Sequence, residues 1–376
     1  MRTLVVSDLH LGSRAGVDVL RRPEVRAGLV EQLSDCDRLV LLGDVLELRT
    51  GPLRDALKAA EPVLRELGAA LGAGREVVLV PGNHDHHLLA AWLARRARDE
   101  QPPPLGLESS VGWEPEDPLG TVASWLAPAQ VRAAYPGVWL RDDVYAIHGH
   151  YADRHTTVPM FERLGVGVMA RIVHDSGDGR GRAEDYEATL TPIYAWIHAV
   201  AQNRTGSRRR STDGASSRAW SALRGGGSRL NVRRTGMKLA FPAIVGALNR
   251  ARLGPLRADL SGPELRRASL LAIAAAIRRL DVGAAYVIFG HTHRAGPLPT
   301  DDASEWRMQS GAELLNIGCW VYEQVYLGHE PSSNPYRPGF CAIVDDHGPP
   351  ALRNLLDGAV SYEALGAAVS RAPAPA

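Results

Sequence analysis

Three short apolar runs, TLVVS (3–7), RLVLL (38–42) and EVVLV (76–80), alternate with helical patterns, and this alternation restricts the fold more than any other feature. Continuous apolar runs of that length read as strands buried on both faces. Between the first two, Pro23 opens a helix in which Val25, Leu29 and Leu33 recur four apart. A proline fits the first helical turn, and the spacing makes one apolar stripe. Residues 52–71 form a second helix, so the order is β-α-β-α-β, which predicts parallel strands joined by helical crossovers. A further helix is expected after His87, through Leu88, Trp92 and Leu93. The Pro- and Gly-rich stretch 101–118 reads as a surface loop. VWL (138–140), the turn Asp142-Asp143 and VYAIH (144–148) read as a hairpin.

After Asp153 the character changes. Residues 156–200 read as helical, and 203–236, rich in Arg, Ser and Gly, read as a mobile loop. Residues 237–253 have an amphipathic pattern, with Met237, Phe241, Ile244, Val245 and Leu248 on one face. Ser261 and Glu264 are spaced as a capping box for a helix running to about Leu280. That helix feeds the strand AYVIF (285–289), and LLNIG (314–318), FCAIV (340–344) and ALRNLL (351–356) follow as short strands; the tail RAPAPA reads as frayed. The chain thus divides into a discontinuous core, 1–155 and 262–370, and an insertion, 156–261.

The insertion holds most of the charge asymmetry. Between Arg204 and Arg257, twelve Arg and one Lys face a single acid, Asp213, a balance of +12; the chain's net charge of +1 leaves −11 elsewhere. Such a segment can be a solvated loop, a lid or membrane-surface element, or a contact for nucleic-acid phosphates. Three widely spaced cysteines, Cys36, Cys319 and Cys341, form neither a disulfide framework nor a metal-binding pair. No run approaches the ~20 apolar residues that span a bilayer. The expectation is a soluble cytoplasmic protein, with peripheral membrane contact through 203–257 as a further option and no indication of oligomeric state.

Five polar clusters sit where strands end: Asp8-Leu-His10, Gly43-Asp44, Asn83-His84-Asp85, His148-Gly-His150 and His291-Thr-His293. In an open α/β sheet, ligands bind outside the carboxyl ends of the strands, so the five can converge. Asp8 and His10, two apart in extended chain, would point to the same side. Each cluster alone is uninformative. Five of them after buried strands are hard to explain as packing, because unpartnered polar groups near a core are costly and cations satisfy them together.

The series DxH, GDxxE, GNHD, HGH and GHTH resembles the calcineurin-like metallophosphoesterases over residues 8–293, the insertion excepted. The resemblance implies a four-layer αββα sandwich of two mixed sheets and a dinuclear metal centre. By position, Asp8, His10 and His293 would hold one ion, Asn83, His148 and His291 the other, and Asp44 would bridge. It also implies a hydrolase that cleaves a phosphoester or phosphoanhydride bond by attack of a hydroxide held between the ions. His84 would assist the leaving oxygen and Asp85 would orient the His84 ring. Carboxylate and imidazole donors without thiolate suit Mn, Fe or Zn rather than a structural zinc site, Mn being the first choice. Two divalent ions against Asp8 and Asp44 leave the site positive, which favours an anionic phosphate.

His150 is expected behind the ligands and Glu47 as a residue orienting them; Arg14 and Arg294 are candidates for phosphate contact that more commonly end as surface cations. His86 and His87 are expected on a helix surface. SDLHLG and GDVLEL look closest to the branch of UDP-2,3-diacylglucosamine diphosphatases, although HGH stands where that group reads HGD and the insertion here is longer and more basic. This points toward lipid-linked or nucleotide-linked diphosphates, or phosphodiesters. The alternatives are a nuclease using the basic insertion and a membrane-associated regulatory module.

Overall fold

The computed structural model describes residues 1–157, 181–202, 246, 249–250, 261–328 and 330–371. The expected mobile loop 203–236, nearly all of the amphipathic stretch 237–253, residues 158–180 and the end of the tail lie outside them. The chain forms two compact units. The first takes in Met1–His150 and the described parts of Tyr194–Ser207 and Val282–Ala376; the second takes in the described parts of Tyr151–Ile193 and Arg208–Asp281.

The first unit is built on a mixed sheet, and its opening matches the sequence pattern. Strands β1 (Thr3–Val6), β2 (Arg38–Leu42) and β3 (Glu76–Val80) pair in parallel, with Val5 opposite Val40 and Val40 opposite Val78. The crossovers are α1 (Pro23–Leu33) and α2 (Leu53–Leu71). Pro23 occupies the first turn of α1, and Val25, Leu29 and Leu33 are buried along its inner stripe. Arg26 Nε donates to Glu66 Oε2 (2.7 Å), tying α1 to α2. The helix expected after His87 begins as a 3-10 turn, His86–Leu89, and continues as α3 (Ala90–Arg98).

Strand β4 (Glu108–Ser110) lies inside the stretch read as a loop and pairs antiparallel with β5 (Gln130–Arg141). Three polar residues carry no apolar alternation, so the strand is invisible in sequence; Glu108 holds it by accepting from Arg132 Nη1 (2.8 Å) and Trp139 N–H (2.7 Å). The hairpin forms as expected between β5 and β6 (Val144–Ile147), but β5 is much longer than VWL. Its first part, Gln130–Ala133, pairs with β3, and its second, from Gly137 on, pairs with β6. Pro136, which has no N–H to give, sits where the strand passes from one partner to the next.

That passage joins the strands that the sequence reading divides between two sheets. With β7 (Tyr286–Phe289), β8 (Glu313–Asn316), β9 (Phe340–Val344) and β10 (Ala351–Asn354), the described strands form one hydrogen-bonded path, β10-β9-β1-β2-β3-β5-β6-β7-β8, with β4 attached to β5. β7 and β8 continue in parallel from β6, while β9 and β10 close the other end antiparallel. One core cluster draws on both arms, with Val5, Val40, Val78 and Ala342 beside Val138, Val144, Ala146 and Ile288.

In the second unit, Ser261 takes the N-cap position of the helix Gly262–Arg279. Tyr151 stacks on Tyr186 with ring centroids 4.3 Å apart, and its hydroxyl donates to Glu187 (2.7 Å). Arg154 and Arg279 both lie against the Tyr186 ring, at 5.3 and 5.9 Å. The helix Ala183–Gln202 begins in this unit and ends in the first. No helix among the described residues is long and apolar enough to cross a membrane.

Leu41 on β2, fully buried between Val6 and Leu79, tests the core. Leu41→Ala should lower the unfolding free energy by about 2–5 kcal/mol in a urea titration; a loss near zero would mean that this strand is not part of the cooperative core.

Candidate metal centre

All five clusters lie at the carboxyl ends of strands β1, β2, β3, β6 and β7. The β1 and β2 ends run on side by side beyond the strands: Asp8 N–H donates to Gly43 O (3.1 Å), His10 N–H to Asp44 O (2.8 Å) and Leu11 N–H to Val45 O (2.9 Å). The backbone there is not extended. Asp8, His10, Asp44, His291 and His293 have φ of 56, 45, 52, 68 and 59°, and they are five of the six non-glycine residues with positive φ among the described residues. Left-handed backbone is unfavourable by roughly 1–2 kcal/mol for a residue with a Cβ, and its concentration at one place points to a functional constraint. Asp8 and His10 therefore converge because the chain turns, and not because alternate residues of a strand share a face.

The side chains gather into overlapping triads. Asp8, His10 and His293 bring their ligand atoms within 4.8 Å of one another, as do Asp44, His148 and His291, and a third set joins His10, Asp44 and His84. Asn83 belongs with the second triad, its amide end 3.1 Å from both His148 Nε2 and His291 Nδ1. Asp44 reaches residues of both outer triads: Oδ1 accepts from His84 N–H (2.7 Å), while Oδ2 lies 3.2 Å from His148 Nε2 and 3.8 Å from His10 Nε2. Two glycines make this approach possible. A Cβ on Gly43 would stand 2.4 Å from the His148 ring, and one on Gly82 would stand 2.4 Å from Asp44 Oδ1.

Carboxylates and a carbonyl behind the rings set which nitrogen faces inward. His10 Nδ1–H donates to Glu47 Oε2 (3.1 Å), as does His84 Nδ1–H (2.7 Å), and His148 Nδ1 lies 2.9 Å from Leu42 O. His10 Nε2 and His293 Nε2 then face each other at 3.1 Å, with Asp8 Oδ1 3.3 Å from the latter. That carboxylate oxygen is buried and has no hydrogen-bond partner, whereas Asp8 Oδ2 accepts from His291 N–H (2.9 Å). Ring nitrogens and a bare carboxylate oxygen at such distances need a proton or a cation between them. Against the cost of burial, Asp8 and Glu47 push His10 up to about 10, and Asp44 and Asp8 push His148 up to about 9. Burial works against ionising Asp8 and Asp44 too, yet the surrounding imidazoles hold both carboxyls well below the usual range. A divalent cation displaces such protons and meets the same donors; the donor set fits one in each triad.

A family model for calcineurin-like phosphoesterases matches residues 1–188, half of the chain. The chain belongs to the calcineurin-like phosphoesterase family. The family implies metal-dependent phosphoester hydrolysis, and the donor triads are in keeping with it. A search of curated proteins found no match. The matched span ends before His291 and His293, so the fold, by running β7 beside β6, brings that pair to the site.

Several expectations change. Asp85 does not orient His84: its buried carboxylate accepts backbone N–H groups of Gly82 (2.6 Å) and Val45 (2.7 Å), and so knits the β2 and β3 loops together. Burial and the nearby Asp44 charge push it up to about 6. The residue that holds the His84 ring is Glu47, which serves His10 as well. His86 is buried, between the rings of Tyr135 and Tyr194, and His87 is half-buried and stacked on His198 with centroids 3.7 Å apart. Neither is a surface residue, because the end of the helix Ala183–Gln202 packs there. His150 is buried with Nε2 3.1 Å from the Tyr135 hydroxyl. Arg294 is fixed by a two-pronged pair with Asp301 (2.5 and 3.1 Å) and lies over Trp306, and Arg14 lies against Gly51. Glu323, 3.6 Å from His293 Nδ1, was not identified from sequence. It follows no motif and reaches His293 through the loop that Trp320 N–H anchors on Asp8 O (3.0 Å).

Two substitutions test the geometry. Asp44→Asn should retain less Mn²⁺ than the wild type after dialysis, read by elemental analysis. Glu323→Gln should weaken Mn²⁺ binding by about 10–100-fold in calorimetry; wild-type affinity would show that Glu323 plays no part in positioning His293.

Proposed function

We propose that this chain is a dinuclear metal-dependent hydrolase acting on a phosphoester or phosphoanhydride. The observation that carries the reading is Asp44, one carboxylate oxygen of which faces His148 of one triad (3.2 Å) and His10 of the other (3.8 Å). A carboxylate shared by two donor sets suits a pair of ions. In this assignment Asp8, His10 and His293 would hold one ion, Asn83, His148 and His291 would hold the other, and Asp44 would serve both, with Mn the first choice of metal. When bound, such ions supply Lewis acidity toward phosphoryl oxygens and lower the pKa of water.

The remaining work falls to the chain. Glu47 accepts a hydrogen bond from Nδ1–H of His84, which leaves Nε2 as the nitrogen that would hand a proton to the departing oxygen. Burial lowers the proton affinity of His84, helped by the charges of Arg49 and His10 and opposed by Glu47 and Asp44. Asp85 keeps the β2 and β3 loops in register, so that Asp44 and Asn83 stay together. The SDLHLG and GDVLEL stretches favour a lipid- or nucleotide-linked diphosphate or a phosphodiester as substrate. The insertion, with its basic segment, serves in this reading as a cap for the non-reacting part.

A Mn²⁺-supplemented panel tests the proposal, with aryl phosphomonoesters and diesters, cyclic nucleotides, UDP-linked and lipid-linked diphosphates and single-stranded DNA. His84→Ala should keep its metal and lose about 10²–10⁴-fold in kcat on whichever substrate is cleaved. Wild-type turnover in His84→Ala would sink the assigned role, and preference for single-stranded DNA with a steep loss at high salt would favour a nuclease.

A further inference from the structure

His291 and His293 stand in a turn that the backbone does not favour. Gly290 O accepts from Thr292 N–H (2.7 Å) across His291, whose φ is 68°. A bond between residues two apart, closed over a positive φ, is the strained form of the γ-turn. His293, just beyond it, has φ of 59°. Such backbone persists only where its surroundings over-determine it. Two restraints come from the centre itself: His291 N–H donates to Asp8 Oδ2 (2.9 Å), and Gly290 N–H donates to His148 O (2.9 Å).

Further restraints come from Asn316, a buried residue at the carboxyl end of β8 and outside the five clusters. Asn316 Nδ2 donates to Gly290 O (3.2 Å) and to Thr292 Oγ1 (2.7 Å), the residues on either side of His291. Its Oδ1 accepts from Gly318 N–H (2.9 Å). These partners fix which end of the amide is nitrogen, because a backbone N–H only donates and a backbone carbonyl only accepts. The backbone of Asn316 is held as well. Its N–H donates to Gly296 O (2.8 Å) and its carbonyl accepts from Gly296 N–H (2.9 Å). One residue therefore ties the chain before His291, between the two histidines, and after His293.

We propose that Asn316 is a positioning residue of the metal centre, a buried amide that staples the turn Gly290–His293 and so aims one donor into each outer triad. The inference rests on the metal-centre reading above and adds to it a residue that acts through the backbone. His293 belongs with Asp8 and His10, and His291 with Asp44 and His148. Those other donors are carried by β1, β2 and β6, whose ends Asn316 does not hold. Without the staple each triad keeps two donors and loses the fixed direction of the third. Groups that orient metal ligands from behind govern affinity in this way.

Calorimetry of Mn²⁺ into the metal-free full chain reads affinity, and a urea titration of the same metal-free protein reads folding separately. Asn316→Ala should weaken Mn²⁺ binding by about 10–100-fold. Thr292→Val keeps the shape of the side chain and removes one acceptor, and should weaken binding by up to roughly tenfold. Thr292→Ser keeps the hydroxyl and should restore wild-type affinity. Wild-type affinity in Asn316→Ala or Thr292→Val, even with a lower urea midpoint, would make the amide a purely structural group and overturn the proposal. Equal losses in Thr292→Val and Thr292→Ser would trace the effect to packing and overturn it as well. Where Asn316→Ala does not fold, the two Thr292 variants decide. A wild-type chain that takes up no Mn²⁺ would instead overturn the metal centre, and this inference with it.

Discussion

Buried carboxylates crowd the ends of β1, β2 and β3, and the site is organised around neutralising them. Asp8, Asp44, Glu47 and Asp85 are all buried. A carboxylate taken out of water is unfavourable by several kcal/mol unless partners replace the lost hydration. Each finds a different solution. Asp85 takes backbone N–H groups from two loops, Glu47 takes two imidazole N–H groups, and Asp8 and Asp44 each give one oxygen to the N–H of a histidine. Two oxygens are left over, Asp8 Oδ1 and Asp44 Oδ2, and both face imidazole nitrogens. The places where a cation is most stabilised are those where the protein's own donors stop.

The same economy explains the backbone. Five donor residues sit in the left-handed region, where a Cβ is unfavourable, and the strain is confined to the turns that aim side chains inward. The β1 and β2 ends support this conformation by exchanging hydrogen bonds beyond the strands, and Gly43 and Gly82 leave room for His148 and Asp44. Because Asp44 and Asn83 share neighbours with Glu47 and His84, the metal-binding and proton-handling halves of the proposed chemistry act on one set of loops.

Much of this was legible in the chain. The strands RLVLL, EVVLV and FCAIV begin and end where their apolar runs do, because fully buried parallel or central strands need unbroken apolar sequence. The donor clusters could be recognised because each follows such a run. Long-range contacts left weaker traces. β4 has no apolar pattern, and the length of β5 depends on its change of partners at Pro136. Asp85, beside His84 in sequence, points to other backbone, and the His84 ring is met by Glu47 from the β2 loop.

The sequence by itself determined the strand–helix alternation, the residue types at the strand ends and the family, since these depend on local apolar periodicity and on short clusters. Tertiary structure decided which nitrogen of each histidine faces inward, that His86 and His87 are covered, and that Glu323 stands behind His293. Those outcomes depend on distances between segments far apart in the chain, such as Asn83 to His291 or Leu53 to Gln202. Side-chain chemistry states what a residue can bind, and only the packing of distant loops states what it is offered.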